Sequence, residues 1–300
     1  MLQKRHEGLY AEVYTPFDHE GEVDTETIHL MVDWLLRRQV SGLYVCGSTG
    51  EGMSLTSDER RRVAGTYLKA ADGRVPVFVQ VGHHSLREAQ ALAADAQAMG
   101  ATAVSAICPA YSEISSVDNL IDSMAVIASG APQLPFYYHH MPALTGAKLD
   151  MLDFLSRAGQ AIPNLAGIQF TSFEVHEFQQ CLEFDNRRYE VMWGCDEMLL
   201  SALAVGCKAA IGSTYNIASP LYGRITAAFQ RGDLKTAAEL QLQAAEMVRM
   251  IYAYPFHPAM KLILNRLGFD FGKCRLPQPE LTEQQGIELK RRIDSMPFFG

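Results

Sequence analysis

The residues best arranged for chemistry are Gly47-Ser48-Thr49-Gly50-Glu51-Gly52, which follow the apolar run Leu43-Tyr44-Val45-Cys46 and precede a helix opening near Thr56. A strand running into a small, hydroxyl-bearing, glycine-rich turn brings backbone N–H groups and two side-chain hydroxyls to one spot. That suits an anionic group on a ligand. The same residue types also make a turn stabilised by its own hydroxyls, so the turn alone establishes no ligand. Glu51 reads as a structural carboxylate accepting backbone N–H groups rather than as part of the site.

Other reactive residue types lie along the chain. The pairs His83-His84 and His139-His140 raise metal binding. Neighbours on a strand face opposite ways, so at most one histidine of each pair turns inward, with only Glu51 or Asp196 to complete a shell. No metal and no other cofactor is expected. Asp196 and Glu197 can hold sugar hydroxyls or complement the N-terminus of a helix, and both readings stand. Cys46 and Cys195 flank these motifs, but nothing in the sequence lowers a thiol pKa or supplies a base. Six cysteines without a C-x-x-C pair read as reduced, packed thiols.

These residues need a scaffold, and the chain supplies one in repeating form. Apolar, β-branched or aromatic runs occur at residues 9–16, 42–49, 75–82, 103–109, 135–140, 165–171, 189–195 and 209–214, with helical stretches between them. Near-continuous apolar strands alternating with amphipathic helices indicate parallel βαβ units, and eight of them indicate a (β/α)₈ TIM barrel. Thr56-Ser57-Asp58-Glu59 and Ser85-Leu86-Arg87-Glu88 read as capping boxes. Beyond Thr214 only helical patterning follows, at 221–230, 234–252, 259–267 and 283–293. Residues 1–218 are therefore expected to form the barrel and residues 219–300 a helical extension packed on it as one structural unit, since no polar linker intervenes. A barrel builds its site at the C-terminal strand ends. That selects Thr15, Ser48, Thr49, Glu51, His83, His84, Tyr111, His139, His140, Gln169, Thr171, Asp196, Glu197, Ser213 and Thr214.

The 300 residues, 48% apolar and 20% charged, are long and apolar enough for one large core. A net charge of −8 without a polybasic block argues against nucleic acid or an anionic membrane as partner. Met1-Leu2-Gln3-Lys4-Arg5-His6 lacks the apolar core of a signal peptide, and no run approaches a membrane span. A cytoplasmic protein is expected.

With the strand ends in view, the chain resembles the pyruvate-dependent class I aldolases, the family of N-acetylneuraminate lyase and dihydrodipicolinate synthase. Gly47-Ser48-Thr49-Gly50-Glu51 is similar to the family's carboxylate-binding turn. Pro142-Ala143-Leu144-Thr145-Gly146, Gly194-Cys195-Asp196-Glu197 and Gly212-Ser213-Thr214-Tyr215-Asn216 resemble the sialic acid lyase branch. The resemblance covers nearly the whole chain. It implies a barrel with C-terminal helices, assembled as a homotetramer, that cleaves a 2-oxo sugar acid to pyruvate and an aldehyde. It also implies that Ser48 and Thr49 hold the carboxylate. Thr171, Gly194, Asp196, Glu197 and Ser213 would contact the polyhydroxy tail, and Tyr111 would reach toward a neighbouring subunit's site.

The chain departs from the pattern at two catalytic positions. The family's reaction needs a lysine in the sixth strand that forms an imine with the oxo carbon. The segment here reads Gly167-Ile168-Gln169-Phe170-Thr171, and an amide is no nucleophile. The family's proton-shuttling tyrosine is expected three residues before Pro142, where His139 stands. Lys208 lies five residues before Ser213, about 17 Å below the site at about 3.3 Å per residue. Lys69, Lys148, Lys235 and Lys261 fall in helices or turns. Tyr138 points to the opposite face from His139, and Tyr137 lies a layer deeper. Histidine titrates near neutrality and can move a proton, and Gln169 can still bond a carbonyl oxygen. The expected function is binding of a small-molecule 2-oxo acid or sugar acid without an imine, with acid/base chemistry through His139. The alternatives are a non-catalytic binding or regulatory protein and a lyase with another nucleophile.

Overall fold

The computed structural model describes residues 5–296. Of the polar stretch at residues 1–6, on which the expectation of no signal peptide rests, the first four lie outside the described residues. Eight parallel strands close into a barrel in chain order: β1 (Gly8–Glu12), β2 (Gly42–Val45), β3 (Val77–Gln80), β4 (Ala103–Ile107), β5 (Phe136–His140), β6 (Leu165–Phe170), β7 (Glu190–Trp193) and β8 (Ala209–Gly212). All eight expected strands form, but most stop short of the end of their apolar runs. The run at 42–49 leaves the ladder after Val45 because Cys46 adopts a positive φ of 61°, which turns the chain over the barrel mouth.

Helices α1 (Thr25–Arg37), α2 (Ser57–Ala71), α3 (Leu86–Ala98), α4 (Val117–Ala128), α5 (Pro142–Thr145), α6 (Met151–Ala161), α7 (Val175–Arg187) and α8 (Leu199–Ala204) sit in the connections. Alternation along the strands separates two cores. Residues facing the axis, including Tyr10, Tyr44, Phe78, Tyr137, Met192 and Ile211, pack inside the barrel. The opposite faces pack against the helices. Thr56 completes its capping box, taking the Glu59 N–H at 3.2 Å and donating its own N–H to the Glu59 carboxylate at 2.8 Å. The second expected box is only half made. Ser85 accepts from the Glu88 N–H, while the Glu88 carboxylate takes the Ser57 hydroxyl at 2.9 Å instead of returning to residue 85.

Four further helices follow: α9 (Tyr215–Gln230), α10 (Leu234–Tyr252), α11 (Phe256–Arg266) and α12 (Glu283–Asp294). Helix α9 runs through residue 218, where Ala218 alone leaves helical geometry. The C-terminal segment grips the barrel mouth by charge. Lys261 of α11 is buried 2.8 Å from Glu51, and the Arg275 N–H donates to the same carboxylate at 2.9 Å. A buried lysine is tolerated only with such a partner. Among the described residues no helix is long and apolar enough to cross a membrane.

Candidate functional site

A cavity of about 180 Å³ opens at the C-terminal ends of the strands. Ser48, Thr49, His139, Thr171, Gly194, Asp196, Glu197 and Ser213 all line it, so five strand ends bring most of the expected residues to one place. Val248, Tyr252, Phe256 and His257 from α10 and α11 line it as well. A second cavity, of about 210 Å³, shares Ser48, His139 and Leu144 and extends toward Gln80 and His84.

The turn at 47–52 holds an anion, and that anion belongs to the chain. Glu12, the last residue of β1, places its Oε1 3.1 Å from the Ser48 hydroxyl and 3.0 Å from the Thr49 N–H, both of which donate to it. Gly47 makes room for it, since a Cβ there would lie 2.2 Å from that oxygen. Burial pushes the Glu12 carboxyl above its ordinary range, while the hydrogen bonds from Thr49 and Ser48 and the nearby His257 pull it back. The turn is anchored from outside: Thr15 donates to the Gly50 carbonyl at 2.6 Å, and His257 Nε2 donates to the Ser48 carbonyl at 3.0 Å. Glu51, at φ 53°, turns away to Lys261 and Arg275, the structural role expected of it.

His139 faces the axis and His140 packs outward on Phe170, so one histidine of the pair reaches the cavity. Gln169 is paired in register with His139 on one side and Met192 on the other, which sets its side chain on the same inward face. It is buried, and its amide oxygen has no hydrogen-bond partner among the described residues. The Tyr44 hydroxyl donates to Ser105 at 3.1 Å and lies 3.3 Å from His139 Nδ1. With that proton committed, Nδ1–H is the donor to Tyr44, and Nε2 accepts from the Thr171 hydroxyl at 3.0 Å.

The expected neutral-range titration of His139 is not what this setting allows. Burial, with His140 as a lesser cause, pushes its pKa down from 6.5 to about 3. A depressed histidine contributes stability that is complete above 6.5 and is lost as pH falls toward 3, so at neutrality His139 is an uncharged hydrogen-bonding group.

Asp196 takes the titrating role instead. It opens a 3₁₀ turn (Asp196–Met198) ahead of α8, and its Oδ2 accepts the Thr214 N–H at 2.9 Å and the Thr214 hydroxyl at 2.5 Å. Oδ1 is buried without a partner among the described residues. Burial pushes the carboxyl up from 3.8 to about 7, against the bonds from Thr214. Burial likewise raises Glu197.

Several expected residues lie elsewhere. Tyr111 is 90% exposed, outside both cavities, with its N–H 3.4 Å from His84 Nδ1. His83 caps the loop by accepting the Ser85 N–H. No lysine lines either cavity among the described residues. Burial raises Cys46 to about 11 and raises Cys195 further, so both stay thiols. The sequence reading missed Glu12, although a lone carboxylate inside an otherwise apolar strand run was a signal. It also missed His257 and Tyr252, which the C-terminal helices bring to the mouth, and Tyr44, whose hydroxyl lies beside His139 inside the barrel.

The model of the dihydrodipicolinate synthetase family matches residues 5–296. The chain is similar to the N-acetylneuraminate lyase of Xenopus tropicalis, 37% identical over 278 residues that cover 91% of both proteins. It is also similar to that of Homo sapiens, 33% identical over 99% of this chain and 94% of the relative. Among solved structures, Proteus mirabilis N-acetylneuraminate lyase superposes with a TM-score of 0.95 at 33% identity, covering 98% of this chain and all of that one. The Aliivibrio salmonicida enzyme superposes at 0.96 and 34%, covering 99% of each.

Proposed function

The chain belongs to the dihydrodipicolinate synthetase family of aldolases, and from that premise we propose that its barrel-mouth cavity binds a small hydroxylated carbonyl compound without forming an imine. The resemblance names a 2-oxo acid or a sugar acid, which share a carboxylate, and the Ser48-Thr49 donors expected to hold that carboxylate are already taken by Glu12. Gln169 stands at the position of the family's imine-forming lysine and His139 at that of its tyrosine. The observation carrying the reading is the cavity lining itself, which among the described residues presents hydroxyls, carboxylates and neutral imidazole but no amine. An imine requires a primary amine within bonding reach of the carbonyl carbon. The buried Lys261 is held by Glu51 in the C-terminal segment and does not line the cavity.

Borohydride reduction in the presence of pyruvate tests this. The expected mass is that of the unmodified chain, and a reduced adduct on any lysine overturns the reading. The double change Gln169→Lys with His139→Tyr is expected to gain the adduct once Glu12→Ala is added to free the turn's donors for the pyruvate carboxylate.

A second reading is favoured by Asp196. Its pKa of about 7 and its place in the cavity lining make it the group that exchanges a proton at neutral pH, as an enolisation or dehydration of the bound compound requires. Proton exchange into a bound ketone that is lost in Asp196→Asn and retained in His139→Gln supports that reading over simple binding. The homotetramer and the cytoplasmic setting implied by the resemblance belong to the same proposal, with Tyr111 free to meet a neighbouring copy.

A further inference from the structure

We propose that Glu12 is the specificity-determining residue of the cavity: its carboxylate fills the anion turn, shuts out a ligand's carboxylate, and selects a neutral polyhydroxy compound. The proposal rests on the barrel-mouth cavity being the ligand site and is independent of whether an imine forms there.

Three observations carry it. The turn's donors, the Ser48 hydroxyl and the Thr49 N–H, converge on a single Glu12 oxygen, so the anion-binding capacity of the turn is already used. The space that oxygen occupies exists only because residue 47 has no Cβ. The rest of the cavity offers no positive side chain to a second anion. Its charged lining among the described residues is Glu12, Asp196 and Glu197, without lysine or arginine, and His257 spends its Nε2 proton on the Ser48 carbonyl. A ligand carboxylate would lie beside Glu12 with no free donor in the turn, a juxtaposition that costs affinity through repulsion and desolvation together.

Acceptors in and beneath the same cavity are left without donors. Asp196, which lines it, has a buried Oδ1 without a partner, and the Gln169 amide oxygen lies unpartnered on the inward face of β6, outside the lining itself. Buried acceptors of this kind are satisfied by O–H groups, and a compound bearing several hydroxyls with no charge supplies them.

The test is a matched pair of probes, D-mannose and D-mannonate, together with pyruvate, titrated calorimetrically at neutral pH against wild type, Glu12→Gln and Glu12→Ala. Wild type is expected to bind mannose more tightly than mannonate and to show no heat with pyruvate. In Glu12→Ala, mannonate and pyruvate are expected to gain at least about tenfold, since two charge-directed hydrogen bonds become available to them. Mannose should stay within about threefold. Glu12→Gln keeps the shape of the turn's occupant, so it tests the charge alone should Glu12→Ala fold poorly; it is expected to narrow the mannose-to-mannonate ratio. An unchanged ratio in both variants overturns the proposal, as does pyruvate that binds wild type and Glu12→Ala alike or neither. An imine adduct in the borohydride experiment would overturn the non-covalent reading while leaving these ratios as the measure of Glu12.

Discussion

Glu12 and Asp196 stand at two corners of the same cavity, each about 6% exposed, and burial raises both carboxyls. Their surroundings then part ways. Glu12 sits where β1 meets the turn after β2 and receives donors from two successive residues of a preformed anion site. Asp196 sits between β7 and β8, receives both of its donors from Thr214 on one oxygen, and leaves the other bare. Each carboxylate thus takes two donors on a single oxygen, but Glu12 has the His257 imidazole nearby to favour its charge, whereas Asp196 has the Glu197 and Glu12 carboxylates nearby to oppose it. Burial sets the cost of the charge, and with two donors on each group the sign of the neighbouring charges tips the balance.

The strongest way to break the comparison is steric. A Cβ at residue 212 would meet Asp196 Oδ1 at 1.7 Å, and the three nearest atoms all belong to that side chain. Gly212→Ala is expected to lower stability by about 3 kcal/mol or more, measured by chemical denaturation. Asp196→Ala in the same chain should restore most of it. A Cβ at residue 47 meets Glu12 Oε1 at 2.2 Å but also the Tyr44 ring at 2.7 Å, so Glu12→Ala should rescue Gly47→Ala only in part. Equal rescue at both corners would mean that Glu12 is not locked in the turn.

The next effect is electrostatic. A group whose folded pKa is raised contributes stability that is complete below its unfolded pKa and lost as pH rises through the folded one. For Asp196 that window runs from 3.8 to about 7. Asp196→Asn removes the loss, so its stability relative to wild type should improve between pH 5 and pH 8 by roughly 2 to 3 kcal/mol. A flat difference across that range would place the charge in water rather than in the cavity wall. Glu12→Gln should show a dependence of the same sign, because burial is the largest cause of the upward shift there too.

How much of this was legible in the sequence follows from the range over which each feature is encoded. The eight strands and the C-terminal helices are written in periodicities of two and 3.6, so they could be read locally. The strand-end positions followed from chain order in a barrel, and residues as distant as Ser48, His139, Asp196 and Ser213 line one cavity. The occupancy of the anion turn was not legible. Glu12 is 36 residues from Ser48, and only the β1–β2 register sets its carboxylate against the turn. The protonation of His139 and Asp196 was misjudged or left open because residue type gives the ordinary pKa and only the packed barrel gives the burial that shifts it. The gripping of the turn by His257, Lys261 and Arg275 depends on chain returning from more than 200 residues away.

The smallest effect probes how firmly Glu12 is held. Ser48→Ala removes one of the two donors to Glu12 Oε1 and leaves the Thr49 N–H in place. Since a half-buried hydroxyl is lost and the carboxylate keeps a partner, the expected destabilisation is about 1 kcal/mol, at the lower end for a bond to a charged group. The same variant should raise the Glu12 pKa, because the Ser48 bond is one of the forces pulling it down. Carboxyl titration followed by NMR on Glu12 reads this directly, and a pKa that does not move upward would show that the Thr49 N–H alone sets the charge state. The equivalent deletion at the other corner, Thr214→Val, keeps the backbone donor to Asp196 and takes only the hydroxyl. Its carboxyl already titrates near neutrality, so a further upward shift there moves protons at the pH of function, whereas the shift in Glu12 changes only how tightly the turn is plugged.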